Sequence, residues 1–125
     1  MNIEITDHRK IHAVQQEFSE LFPFLKIEFF ARPHTSGGPA SAKLEKHSSK
    51  TLGLCRNIHS KGNISITPEM SVDELKSNFS DHYGLTIVVS RIFGNGWIST
   101  EDTLRWSLEK QNREGQQSLI IQETI

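Results

Sequence analysis

Cys55 and His59 lie four residues apart, so on a helix a thiol and an imidazole would share one flank. Both are sound zinc ligands, and His34 and His47 could join them through the intervening loop. The same pair could instead form a Cys-His nucleophile. That chemistry needs a thiolate held beside an imidazole and donors for a developing oxyanion, and the sequence supplies only the first requirement. A single cysteine excludes an internal disulfide and any thiolate-rich zinc site, and an inert buried thiol explains Cys55 as simply. His8 and His12 repeat the four-residue spacing, but no glutamate lies between them as in HExxH. Asp73-Glu74 and Glu101-Asp102 are adjacent pairs whose side chains diverge, unlike two carboxylates facing across a glycosidic bond. The glycines form neither GxGxxG nor GxxxxGK. The expectation is a chain without enzymatic chemistry and without a cofactor.

Binding is better represented. Phe93, Trp97 and Trp106, with Arg91 as a polar rim, could form the kind of aromatic anchor that concentrates interface energy. The plain alternative is that these aromatics fill the core. A nucleic-acid surface is the other candidate: Arg32, Lys43, Lys46, Lys50, Arg56 and Lys61 face only Glu45 in the same stretch. That segment carries +5 in a chain whose formal net charge is −1. Yet these bases are spread over thirty positions, and no GxxG loop with basic residues or RNP-like strand accompanies them.

Local patterning supplies the elements that must position these residues. Ile3 and Ile5 alternate in a short first strand. Ile11, Val14, Phe18 and Leu21 form one helical stripe, with Thr6 or Asp7 as the expected cap and Pro23 closing it. Leu25, Ile27 and Phe29 alternate with Lys26 and Glu28, the period of a strand with one covered face. Residues 31–50 read as a loop, Leu52, Cys55 and Ile58 fit a short helix, and Ile64 and Ile66 a strand. Ser71 and Glu74 form a capping box, and Met70 with Leu75 a hydrophobic staple, for a helix through Phe79 that Gly84 ends. Leu85–Phe93 is a strand, Asn95-Gly96 a tight reversal and Trp97-Ile98 the return strand. Flanking Gly94 admits a longer or bulged loop. Ser107 is the expected cap of a last helix with Trp106 and Leu108 as anchors, ending at Gly115, and Leu119-Ile120-Ile121 an edge strand or packed extension.

At 125 residues and 35% apolar content the chain suits one α+β domain, residues 1–125, with a variable basic loop at about 31–61. The expected architecture is a small two-layer sandwich, β-α-β-(variable loop)-β-α-β-β-α, with a ferredoxin-like arrangement as one solution. No apolar run approaches the ~18 residues of a membrane helix, so a cytoplasmic location away from membranes is expected.

Residues 62–115 resemble a family of small uncharacterised bacterial proteins, mostly from the Bacteroidetes. The resemblance rests on Gly62-Asn63-Ile64-Ser65-Ile66, Ser71-Val72-Asp73-Glu74-Leu75, Tyr83 to Arg91, Gly94-Asn95-Gly96-Trp97-Ile98 and Trp106 to Asn112. Phe22 to Phe30 is similar as well. Val88 and Ser90 stand where family members often carry glutamine and phenylalanine, which alters the surface on that strand face. The resemblance implies a fold and no activity.

Together these readings favour a noncatalytic protein-interaction or regulatory module whose partner is another protein or itself, as a homodimer. A nucleic-acid-binding domain and a small enzyme or metal protein centred on Cys55 are the alternatives.

Overall fold

Alternating and helical apolar stripes meet in one core. The computed structural model describes residues 1–31 and 43–124, with side chains as far as Ile120. The elements run β1 (Asn2–Ile5), α1 (Ile11–Leu21), β2 (Leu25–Phe29), a 3-10 turn (Leu52–Cys55) and β3 (Gly62–Ser65). They continue with α2 (Val72–Tyr83), β4 (Ile87–Phe93), β5 (Gly96–Ser99), a second 3-10 turn (Glu101–Thr103) and α3 (Leu108–Thr124). This is the expected order of a small α+β domain, consistent with a ferredoxin-like two-layer sandwich. β1 pairs antiparallel with β3, while β2, β4 and β5 form an antiparallel sheet in that order.

The sandwich is held by one buried face. Leu25, Ile27 and Phe29 of β2 lie opposite Arg91, Val89 and Ile87 of β4, and all but the arginine are buried. Phe18 of α1 and Phe79 of α2 are fully buried in the same cluster, with Phe29 and Phe79 rings edge-on at 5.8 Å. Such a contact adds ~0.5–1.5 kcal/mol beyond area burial.

Each helix start takes carbonyls from a distant segment. An α-helix leaves its first amides without internal partners. In α1, Ile11 and His12 donate to the carbonyls of Lys50 and Ser48, both at 2.9 Å. Thr6 and Asp7 therefore do not cap α1; the N-cap is Lys10 without a side-chain bond. In α2, Val72 and Asp73 donate to Trp106 and Leu104 carbonyls; in α3, Leu108 and Glu109 donate to those of Met70 and Pro68. The two starts thus close on each other around the Ser71–Ser107 bridge. Both expected serine caps are present: Ser71 Oγ accepts from Glu74 N and Ser107 Oγ from Lys110 N, each at 3.0 Å. Gly84 ends α2 at φ 61°, as its position suggested.

Two local expectations are corrected. The reversal is Gly94-Asn95, enclosed by the Phe93–Gly96 pair, and among the described residues of the hairpin only Gly94 has positive φ, 57°. The glycine that tolerates that geometry is thus one position earlier than in the Asn95-Gly96 reading. Second, α3 does not stop at Gly115 but continues through 116–124, so Leu119, Ile120 and Ile121 belong to a helix. Gly115 is there for proximity: an added Cβ would lie 3.0 Å from Phe24 Cβ and 3.2 Å from Arg91 Cγ and Ile92 Cγ2. Ser118 Oγ, one turn on, accepts from Gly94 N at 3.2 Å and ties the helix to the hairpin.

Gly115→Val is therefore expected to destabilise the fold by ~1–3 kcal/mol through overpacking. Urea unfolding checks this; an unchanged midpoint would contradict the close approach.

Candidate interaction surface

Hydrogen-bond parity decides which backbone groups of a strand face its neighbour and which face outward. In the β2–β4 pair, Ile92 N donates to Phe24 O and Phe30 N to Thr86 O, both at 2.9 Å. Alternation then turns the polar groups of Leu25, Ile27 and Phe29 away from β4. All three outward carbonyls are occupied: Leu25 O accepts from Ser19 Oγ (3.5 Å), Ile27 O from Gln15 Nε2 (3.0 Å) and Phe29 O from Glu45 N (2.8 Å). Lys43 to Glu45 also pairs along this edge through the Phe30–Leu44 bridge. The β2 edge is plugged along its carbonyls.

The β5 edge is not. Thr100 N donates to Val89 O, which fixes Ile98–Arg91 and Gly96–Phe93 as the hydrogen-bonded pairs of the hairpin. Trp97 and Ser99 consequently present N–H and C=O outward, where they take no backbone or side-chain partner among the described residues. All four residues of β5 are exposed, and none is charged. Large apolar side chains gather here: Phe93 is 60% exposed, Trp97 44% and Ile98 36%. Lys26 Nζ sits 4.8 Å from the Trp97 ring centroid on one sheet face. On the opposite face Arg91, across from Ile98, reaches the Trp106 ring at 5.2 Å and donates to Gln111 Oε1 at 2.8 Å.

The sequence grouped Phe93, Trp97, Trp106 and Arg91, and the structure divides them. Phe93 and Trp97 are exposed. Trp106 is half-buried between Arg91 and Lys110, the latter 4.3 Å from its ring. Arg91 is half-buried and engaged, so it supports the hairpin from behind.

The basic set also divides. Lys43, Lys46, Lys50 and Lys61 are exposed, with Lys50 paired to Glu45 at 3.4 Å and Lys46 at 4.0 Å from Glu28. Arg56 is corrected: it is only 1% exposed, so it is no part of a solvent-facing strip. Its Nε and Nη2 donate to Asp7 Oδ1 at 3.0 and 2.8 Å, and Nη1 donates to the Tyr83 carbonyl at 3.1 Å. Arg32 and His34 lie outside the described residues.

The metal and nucleophile readings gain no geometry. His59 Nδ1 lies 2.8 Å from Asp7 Oδ2, while Cys55 is buried and His47 exposed. Among the described residues no three His, Cys, Asp or Glu side chains are close enough to hold a metal, and no hydrogen bond joins Cys55 to a histidine. Burial pushes the Cys55 thiol up, with Glu45 adding to the rise, so it stays protonated rather than nucleophilic. A cleft of ≈400 Å³ is lined by Asn63, Ile64, Ser65, Met70, Asn78, His82 and Tyr83, and no hydrogen bond joins its Ser65 hydroxyl to its His82 imidazole. No helix among the described residues is long and apolar enough to cross a membrane.

Sequence reasoning missed Arg56 as a structural residue and β5 as the open edge. An arginine set between Cys55 and Asn57 carries no sign of its burial, and strand order is not written in periodicity. Comparison of the chain with protein-family models, curated proteins and solved structures gave no match.

The Asp7 cluster yields a test. The hydrogen bond from His59 is the first cause holding the Asp7 carboxyl below its ordinary value, with Arg56 adding to it against partial desolvation. A lowered folded-state value means stability present above the ordinary aspartate range and lost as pH falls through the lowered one. Asp7→Ala is expected to cost about 2–4 kcal/mol, because it leaves the Arg56 guanidinium buried without its anion. It should also remove that acid-range dependence. Urea midpoints measured between pH 7 and pH 2 check both, and a variant as stable as the natural chain would contradict the pairing.

Proposed function

We propose that the chain is a noncatalytic, cytoplasmic protein-interaction module that docks through the β4–β5 hairpin. The observation carrying this reading is the unplugged β5 edge beside exposed Phe93, Trp97 and Ile98. Free edges template strand addition, and natural proteins blunt them with lysine, proline, bulges or covering segments. Gly96-Trp97-Ile98-Ser99 has neither lysine nor proline, while the opposite edge of the same sheet is covered. Main-chain bonds to an added strand would supply affinity, and Trp97 and Ile98, on opposite faces, would supply side-chain specificity. Aromatic anchors typically dominate such contacts.

A photo-reactive phenylalanine analogue placed at Trp97 tests this in living cells. The same analogue at Glu109, exposed on α3, serves as the control. The expected result is a discrete covalent protein adduct from position 97 and none from 109. Identical adduct patterns at both positions would overturn the reading.

A further inference from the structure

The parity of β5 specifies more than a sticky edge. Its outward groups are two N–H and two C=O, at Trp97 and Ser99, separated by one residue whose own groups point back to β4. Any partner must present the complementary pattern. An antiparallel copy of the same strand does so when a two-fold axis passes through Ile98. Trp97 then faces Ser99 of the second copy, Ser99 faces its Trp97, and all four outward groups on each strand are used. A register with Trp97 opposite Trp97 would form only one such hydrogen-bonded pair and leave Ser99 unpaired.

Resting on the proposed docking edge, we infer that the partner is a second copy of this chain, joined β5 to β5 with the two-fold axis at Ile98. The result is a continuous six-stranded antiparallel sheet, β2-β4-β5 followed by β5-β4-β2 of the second copy. Charge agrees with self-pairing. β5 carries none, so the axis brings no like charges together, whereas a lysine or glutamate at its centre would meet itself. Ile98 side chains meet across the axis on the Arg91 face, and each Trp97 lies beside Ser99 of the other copy on the Lys26 face. Such a closed, isologous contact accounts for both apolar residues of the strand.

Cysteine cross-linking reads the register directly. At the axis, Ile98 would be a non-hydrogen-bonded pair with Cα atoms ~4.5 Å apart. That lies within disulfide range, while the two Trp97 positions, each one residue from the axis and so diagonal to one another, would exceed the ~7 Å limit. Ile98→Cys is expected to form a disulfide-linked dimer in a glutathione redox buffer at least tenfold faster than Trp97→Cys. Native Cys55 is buried and provides the background rate. In parallel, sedimentation equilibrium should show the natural chain approaching twice its 14.2 kDa mass with concentration. Ile98→Lys should raise the dimer dissociation constant at least tenfold while the far-ultraviolet circular dichroism stays unchanged. A monomer at every concentration overturns the second copy as partner, and leaves the docking edge standing if position 97 still captures a different protein. A dimer that cross-links through Trp97→Cys but not Ile98→Cys overturns the axis.

Discussion

Burial of a single sheet face is the constraint on which the rest depends. Phe18, Phe29 and Phe79, with Leu25, Ile27, Ile87 and Val89, need a common shield from water, and α1 and α2 provide it. Once the helices lie on that face, β2 and β4 are fixed beneath them and β5 hangs outside as a four-residue appendage. A core of this kind stabilises the fold without contributing anything to β5. Among the described residues, both the N–H and the C=O of Trp97 and Ser99 are therefore left without partners at the outer edge of the larger sheet.

The two edges of that sheet show how differently the same chemistry can be settled. On β2, Ser19 and Gln15 reach over from α1, and the backbone of Glu45 closes the end. These bonds satisfy polar groups that would otherwise be stranded beside apolar side chains. On β5 the corresponding groups of Trp97 and Ser99 face outward, flanked by indole and isoleucine side chains. The helix starts follow the first pattern: each borrows carbonyls from remote chain, so helix entry is a tertiary event here. That explains why α1 begins at Ile11 although Thr6 and Asp7 offered suitable caps. Asp7 instead neutralises Arg56, whose guanidinium also holds the last carbonyl of α2.

Much of the fold was legible because it is written in short-range pattern. The stripes of α1 and α2, the alternation of β2, both serine caps and the Gly84 exit depend on residues within a turn or two of each other. What was illegible depends on distant partners. Gly115 reads as a helix stop, and only the nearness of Phe24 and Ile92 shows it as a packing residue. Arg56 reads as a basic surface residue until Asp7 is brought to it across 49 positions. Trp97 stood out by residue type, but its exposure follows from β5 being outermost, which local patterning does not encode.

Amide hydrogen exchange of Trp97 and Ser99 tests the central claim most directly, because those two groups are free or paired according to whether the edge is docked. The account expects their exchange to be fast in dilute protein and to slow at least tenfold as concentration rises, while the Gln15-to-Ile27 edge stays unaffected. Fast exchange at every concentration, or protection already complete in the isolated monomer, would contradict it.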